Sequence, residues 1–233
     1  MSALDMSIPL SRLPGFDPRT VPSISEKVLL PQVAASRLSA ASLRERFIAP
    51  PPWSPEVLAE PLLSVSTRVP ASVLIPIVQR AKPTILLTRR TAHLSTHSGQ
   101  IAFPGGKQDA EDADLRVTAL REAREEIGLQ SEFVQILGVL PIYSTGTGFS
   151  IAPVVALVEE GFSLLPNAFE VDEVFEVPLE FLMNPANHRR HVFESQGVRR
   201  EWLSMPFQDA CAERFIWGAT AGMLRNFYRF LLD

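Results

Sequence analysis

The stretch Gly105–Leu129, GGKQDAEDADLRVTALREAREEIGL, carries the clearest structural signal in this chain. Glu122, Glu125 and Glu126 stand at positions i, i+3 and i+4, which lie on one side of a helix. Like charges at this spacing repel each other, and the negative end of the helix dipole, next to Gly128, adds to the repulsion. A divalent cation removes this repulsion because it needs several oxygen ligands at short range. The pattern predicts a metal site; the alternative is a solvated acidic helix with ordinary ion pairs.

The ends of this helix are marked in the sequence. Asp112 or Asp114 can cap the N-terminus, and Gly128 fits the position that ends a helix. Arg121 lies one turn before Glu125 and could orient that carboxylate by bidentate hydrogen bonds. The apolar stripe that should face the core consists of Leu115, Ala119, Leu120, Ala123 and Ile127.

A tight turn, Phe103–Gly106 (FPGG), precedes the helix. Proline fixes φ and paired glycines permit backbone shapes closed to other residues, so this turn can direct a carbonyl at a metal held by the helix. Turn and helix together resemble the Nudix box, the signature of the Nudix hydrolases, G-x5-E-x7-R-E-U-x-E-E-x-G-U with U apolar. The second half matches at every fixed position from Arg121 to Leu129. In the first half, Asp112 replaces the first Glu and one additional residue precedes Arg121.

A second pattern, upstream of the box, resembles the coenzyme A pyrophosphatases of this family. Their extended motif is L-L-T-x-R-[SA]-x3-R-x3-G-x3-F-P-G-G, and the chain keeps its spacing from Leu86 to Gly106. Thr91 stands where Ser or Ala is expected. Ser95 stands where the second Arg is expected, so one cation that could hold a phosphate is missing. The same subfamily shows the Asp and the additional residue in its box, and the resemblance covers about residues 71–228.

The resemblance implies an α/β fold, the Nudix-type α/β/α sandwich with a mixed β-sheet, and catalysis that depends on Mg²⁺ or Mn²⁺. It implies that Glu122 and Glu126 are direct metal ligands. Glu125 would bind a metal directly or through water, and the carbonyl of Gly105 would complete the shell.

In this family the general base often comes from a glutamate on a later loop. The candidates are Glu170 and Glu173, of which Glu170 aligns better with the subfamily's pattern; the alternative for this acidic loop is a solvated turn. The remaining candidates are Arg121 as a catalytic residue, and Arg89, Arg90 and His97 as substrate-binding residues near the motifs.

The leading function is hydrolysis of coenzyme A or a derivative at its diphosphate, which gives a 4′-phosphopantetheine species and adenosine 3′,5′-bisphosphate. Because of Ser95, another nucleoside diphosphate derivative such as ADP-ribose or a dinucleotide stays open as the substrate. A third alternative is a Nudix-fold module that senses a nucleotide without cleaving it. Such modules usually lose box glutamates, and this chain retains all three.

Composition favours an intracellular, cytoplasmic enzyme. The 233 residues, of which 46% are hydrophobic, suffice for one domain with an extension. A single cysteine, Cys211, excludes an intramolecular disulfide and indicates a reducing compartment. The N-terminus lacks the pattern of a secretory signal, and no stretch is long and apolar enough to cross a membrane. The net charge of −4 argues against nucleic-acid binding, and a homodimer stays open.

Two regions are predicted along the chain. Residues 1–70 form an N-terminal extension, irregular apart from short helices, and residues 71–233 form the Nudix hydrolase domain. Pro76, inside the first strand-like run of that domain, suggests an edge or bulge position. The acidic segment Phe169–Val174 is expected to be a loop, and Phe215–Leu232 a terminal helix.

Overall fold

The computed structural model describes residues 16–24, 30–57, 59–60, 67–92, 99–195 and 198–233. The candidate substrate-binding residue His97, like Ser95, lies outside the described residues. The strands in the described part are β1 Ser23–Ile24, β2 Val69–Val78, β3 Thr84–Arg90, β4 Ile101–Ala102, β5 Gly105–Lys107, β6 Val134–Val139, β7 Tyr143–Ser144, β8 Phe149–Val158, β9 Val171–Pro178, β10 Arg189–Ser195, β11 Val198–Gln208 and β12 Glu213–Trp217. The α-helices there are α1 Ala40–Ile48, α2 Leu115–Ile127, α3 Leu179–Leu182 and α4 Gly218–Leu232.

The larger sheet is mixed and has eight strands. Its main path is β4-β3-β2-β8-β6, while β9 pairs with β3, β5 with β2, and β7 with β8. Strands β2 and β8 run parallel over ten residue pairs, and the remaining pairs are antiparallel. A smaller antiparallel sheet has the order β1-β10-β11-β12.

Helices cover both faces of the larger sheet because its strands alternate two sets of apolar side chains. One set, which includes Leu74 and Leu86, packs with Ala119, Ala123 and Ile127 of α2. The other set, which includes Ile75 and Leu87, faces the opposite layer and belongs to one apolar cluster with buried residues of α3 and α4. The predicted α/β/α arrangement around a mixed sheet is confirmed.

Residues before 71 pack on this core. Val33, Leu38 and Leu43 belong to the same apolar cluster as α4. The side-chain amide of Asn226, on α4, accepts a hydrogen bond from the backbone N–H of Val57 at 2.9 Å and donates one to its carbonyl at 2.6 Å. The boundary at residue 70 stays a prediction. No helix among the described residues is long and apolar enough to cross a membrane.

The expectation for Pro76 is wrong, since β2 lies between β8 on one side and β3 and β5 on the other. The N–H of Leu74 donates to the carbonyl of Pro104, and N–H groups alternate sides along a strand, so the nitrogen of Pro76 faces the same side. Along β2, Pro76 lies between the segment that pairs with β5 and the segment that pairs with β3. An interior strand tolerates proline here because no partner strand needs its N–H.

Two other expectations need correction. The acidic segment is a loop only as far as Glu170, because β9 begins at Val171 and puts Glu173 opposite Arg89 of β3. The terminal helix begins at Gly218, since residues 213–217 form β12 and pair with β11.

Candidate active site

Helix α2 is held at both ends by the residues that the sequence marks. Oδ1 of Asp114 accepts hydrogen bonds from the backbone N–H groups of Arg116 and Val117 at 2.8 and 2.9 Å, so Asp114 is the N-cap. Gly128 ends the helix with φ of 72°, in the left-handed region. These caps fix the rotation and the end of the helix, and therefore the side on which its glutamates lie.

Glu126 is the most buried of the three box glutamates, with 3% of its surface exposed. Its Oε2 accepts a hydrogen bond from the backbone N–H of Gly105 at 3.1 Å, and its Oε1 lies 3.5 Å from Nη1 of Arg90. Burial raises the pKa of Glu126 to about 7, which the Gly105 N–H and the charge of Arg90 only partly offset. The protein thus holds a carboxylate that its own cations do not neutralise.

Two glycines allow the turn to approach the helix closely. In β5, Gly105 lies so near the backbone of Ser72 and Val73 that a Cβ there would overlap them. A Cβ on Gly106 would overlap the carboxylate of Glu122 instead. The half-buried Glu122 has a raised pKa, chiefly because of burial. The turn therefore packs directly on the acidic side of α2. Gly105 contacts Glu126 through its backbone N–H.

Arg121 connects the helix to the segment before it. Its Nε and Nη2 donate to the two carboxylate oxygens of Asp112 at 3.1 and 2.9 Å, and Nη2 also donates to the carbonyl of Lys107 at 2.9 Å. Nη1 donates to Glu122 and to Glu125, each at 3.0 Å. Hydrogen bonds from Arg121, chiefly, lower the pKa of Asp112. Arg121 orients carboxylates as its position in the helix suggests, and Asp112 is the residue that anchors it.

The loop before β9 brings Glu170 to the box. The backbone N–H of Asn167 donates to the carbonyl of Glu126 at 2.8 Å, and the carbonyl of Glu170 accepts from the N–H of Thr91 at 3.0 Å. The negative charge of Glu170 is close enough to contribute to the raised pKa of both Glu122 and Glu126. The only hydrogen bond of its side chain within the described part of the protein is a long one, 3.5 Å from Nδ2 of Asn167 to Oε1 of Glu170.

Glu173 lies in a different environment. Arg214 donates to both of its carboxylate oxygens at 2.6 and 2.7 Å, and Nη2 of Arg89 lies 3.0 Å from Oε2. Arg214 also donates to Asp209 at 2.7 Å and is 4% exposed. These pairs involve Arg89, whereas its neighbour Arg90 contacts Glu126, so two consecutive arginines at the end of β3 serve two separate clusters.

Two clefts adjoin these clusters. One, of about 230 Å³, lies on the Arg89 side and is lined by Arg19 and Trp217 among others. The other, of about 670 Å³, lies between the end of α2 and the loop that carries Asn167. Glu125 lines the second cleft, which therefore opens from the acidic side of the helix.

The side chains fit a divalent cation in part. Carboxylate oxygens are the ligands that Mg²⁺ and Mn²⁺ prefer. Glu126 is buried and Glu122 is half-buried, and the pKa of each is raised, chiefly by burial. Glu125 is 59% exposed and hydrogen-bonds to Arg121. Among the described residues, no three His, Cys, Asp or Glu side chains are grouped so that they could hold a metal as they stand.

A family model and curated relatives match this chain. The model of the NUDIX domain matches residues 68–200. A protein of Citrobacter koseri described as "Uncharacterized Nudix hydrolase NudL" is 42% identical over 173 residues, which cover 74% of this chain and 85% of that protein. A protein of the same description from Salmonella paratyphi B is 42% identical over 67% of this chain and 79% of its own length.

Solved structures also match. The crystal structure of a C. elegans Ap4A hydrolase binary complex is 24% identical, with a TM-score of 0.40, over 48% of this chain and 81% of that one. That of the M. smegmatis Nudix hydrolase RenU is 24% identical, with a TM-score of 0.42, over 49% and 73%. The family model spans more than half of the chain and the relatives align over most of their length, so the chain belongs to the Nudix hydrolase family.

Proposed function

We propose that this chain hydrolyses the diphosphate bond of coenzyme A or its derivatives. One observation carries the proposal: the two motifs of the sequence meet in space. The strand that carries the upstream motif, β3, ends at Arg90, and this arginine lies against Glu126 of the box with Nη1 3.5 Å from Oε1. The FPGG turn joins them through the hydrogen bond from Gly105 to Glu126. Residues typical of the coenzyme A subfamily thus adjoin the carboxylates common to the whole family.

Nudix hydrolases generally need a divalent metal ion. Here Glu122 and Glu126 would hold Mg²⁺ or Mn²⁺, with Glu125 as a further ligand and Gly105 beside them. When bound, the ion would neutralise the charge of the diphosphate oxygens and favour attack by water. Arg121 keeps Glu122 and Glu125 in position by hydrogen bonds from one nitrogen.

Glu170 is our choice for the general base. In the proposed step the water oxygen bonds to one phosphorus, its proton passes to the Glu170 carboxylate, and the bridging P–O bond breaks to leave two phosphomonoesters. Two features support Glu170 over Glu173. Its charge acts on Glu122 and Glu126. No arginine among the described residues holds its carboxylate, whereas Arg214 binds both oxygens of Glu173.

The cleft beside Glu125 supports a substrate with a long arm. Its volume of about 670 Å³ is in the range of ordinary ligand pockets. Phe133 and Leu164 give it apolar walls, and Arg124 gives it a cation. A pantetheine arm, which is largely apolar with spaced amides, matches such a lining.

The decisive experiment is a product analysis. Purified protein is incubated with coenzyme A and, separately, with ADP-ribose at equal concentration and with Mg²⁺ or Mn²⁺, and products are separated by chromatography. We expect 4′-phosphopantetheine and adenosine 3′,5′-bisphosphate from coenzyme A. Faster cleavage of ADP-ribose would favour another nucleoside diphosphate derivative as the substrate, which is the alternative that Ser95 leaves open. Binding of coenzyme A without cleavage would favour a nucleotide-sensing module.

The proposal also covers the kind of substrate, the location in the cell and the number of subunits. We expect a small-molecule substrate, a cytoplasmic location and either a monomer or a homodimer. Sedimentation velocity distinguishes the last two directly.

A further inference from the structure

The guanidinium of Arg90, next to the box carboxylates, has few close hydrogen-bond partners among the described residues. Its Nε is buried and has no hydrogen-bond partner among the described residues. Its contact with Glu126, at 3.5 Å, is long for a charge-assisted hydrogen bond, which normally measures about 2.7–2.9 Å. Arginine carries five donors in a fixed fork, and buried donors are normally paired. Arg90 is therefore attracted to Glu126 without being fixed by it.

The charges around Glu126 explain why Arg90 stays there. Glu122 and Glu170 both raise the pKa of Glu126, and Arg90 is the cation whose charge lowers it. At Glu126, one cation, Arg90, thus acts against two neighbouring carboxylates, while Arg121 donates to Glu122 at 3.0 Å. A divalent cation at the same carboxylates would supply more charge than the guanidinium does and would be drawn to the same place.

We propose that Arg90 takes the place of the metal at Glu126 in the metal-free protein and turns to the substrate diphosphate once a divalent cation is bound. Metal and Arg90 then compete for Glu126, and the anion site that Arg90 provides becomes available after the metal has entered. The fork of the guanidinium matches two phosphate oxygens, which would pair the donor that Glu126 leaves unpaired. This inference rests on the proposed function, because it needs both the metal site and a phosphate-containing ligand.

Arg89 supplies a matched control. It is the next residue on the same strand, carries the same charge and is paired to Asp172 at 2.7 Å and to Glu173 at 3.0 Å. Neither of these carboxylates belongs to the box. Its removal changes the charge of the chain by the same amount without freeing a box carboxylate.

Competition is tested by Mn²⁺ binding without substrate, measured from the electron paramagnetic resonance signal of free Mn²⁺ at pH 8.5, where the carboxylates are ionised. We expect Arg90→Gln to bind Mn²⁺ about tenfold more tightly than the wild type. Arg90→Lys, which keeps the charge, and Arg89→Gln should stay within about threefold of the wild type. An unchanged or weaker affinity in Arg90→Gln, or equal tightening in Arg90→Lys, overturns the proposal. Circular dichroism confirms that each variant is folded.

The order of binding is tested with imidodiphosphate, a diphosphate analogue with a P–N–P bridge, by titration calorimetry. Wild-type protein saturated with Mn²⁺ should bind it at least about tenfold more tightly than Arg90→Gln does. Wild-type protein in EDTA should bind it far more weakly than the Mn²⁺ form. Equal binding with and without Mn²⁺ overturns the proposed order.

Glu126→Gln distinguishes a failure of the proposed metal site from a failure of the proposed role of Arg90. If this variant binds Mn²⁺ as well as the wild type does, Glu126 is not a ligand and the proposed function loses its metal site. If the variant loses Mn²⁺ binding while Arg90→Gln shows no tightening, the metal site stands and the role of Arg90 is wrong.

Discussion

Two clusters at the end of β3 contain the same kinds of side chain and differ in how well these are paired. In the Arg89 cluster, Glu173 is held by two arginines, and Arg214 binds Glu173 and Asp209 at 2.6–2.7 Å. In the cluster of Arg90 with Glu126, Glu122 and Glu170, the contact between Arg90 and Glu126 measures 3.5 Å, and burial raises the pKa of Glu126 to about 7. The carboxylate of Glu173 is closely paired in the first cluster, whereas Glu126 in the second has no close counter-charge among the described residues.

This difference indicates which cluster serves stability and which serves chemistry. A carboxylate that is buried without a full counter-charge destabilises the folded state, and such groups gather at functional sites. A carboxylate that is buried with an arginine is destabilising only when one partner is removed. Substitutions in the two clusters should therefore have opposite effects on activity and on the free energy of unfolding.

The largest effect on activity is expected from Glu126→Gln. The amide keeps an oxygen for the N–H of Gly105 but removes the charge that would bind a metal. Turnover of the substrate should fall by roughly 10³-fold or more, the scale seen when one electrostatic stabiliser is lost. The free energy of unfolding should stay equal or rise, because a desolvated charge disappears. Steady-state kinetics and chemical denaturation measure the two; retained turnover would refute the metal role of Glu126.

Glu170→Gln should have the next largest effect. Loss of a general base typically costs about 10²–10⁴-fold in rate. Because the side chain of Glu170 has only a long contact, with Asn167, among the described residues, the free energy of unfolding should change by less than about 0.5 kcal/mol. A variant that keeps its rate would show that another group takes the proton.

Glu173→Gln is the reciprocal test, because it should affect stability more than rate. It leaves Arg214, which is 4% exposed, with a single carboxylate at Asp209. Removing one member of a fully buried pair costs about 3 kcal/mol. Because 32% of the Glu173 side chain is exposed, we expect a smaller loss here, of about 1–2 kcal/mol, which urea denaturation would detect as a lower midpoint. Turnover per folded molecule should remain within a few-fold of the wild type. If instead turnover disappears while stability is kept, Glu173 is the base and the assignment of Glu170 is wrong.

Much of the Arg90 cluster was predictable because its signals are local. Asp114 and Gly128 mark the ends of α2, and the spacing of three glutamates puts them on one side. The α/β/α sandwich follows from the resemblance of both motifs, and the structure confirms it. The ends of α2 and the side on which its glutamates lie depend on residues within about one helix of each other, because side-chain period and capping determine that geometry.

The Arg89 cluster was not predictable, because its members are distant in sequence. Arg214 lies 41 residues after Glu173, and nothing near either residue indicates the pair. The start of β9 was predicted as a loop because its charged residues are typical of a solvated turn. Only the pairing with β3 identifies it as a strand. Pro76 misleads for a similar reason: whether an interior strand accepts proline depends on which backbone groups its neighbours leave unpaired.

The smallest expected effect is a change in stability with pH that belongs to Glu126. Its folded pKa of about 7 lies above the ordinary value of 4.5, so between these values the folded state binds more protons than the unfolded state. The contribution of Glu126 to stability is therefore full below pH 4.5 and is lost as the pH rises through 7. His188, whose pKa burial lowers to about 4, acts in the opposite direction between pH 4 and 6.5. The measurement must hence compare two proteins at each pH.

In EDTA, the free energy of unfolding of Glu126→Gln minus that of the wild type should increase from pH 5 to pH 8 by about 2–3 kcal/mol, since each unit of pKa shift corresponds to about 1.4 kcal/mol. Saturating Mg²⁺ should stabilise the wild type at pH 8 and not Glu126→Gln, because the ion binds the charged form that folding otherwise disfavours. A difference that stays constant from pH 5 to pH 8 would mean that Glu126 is already neutralised within the protein, and the contrast between the two clusters would then disappear.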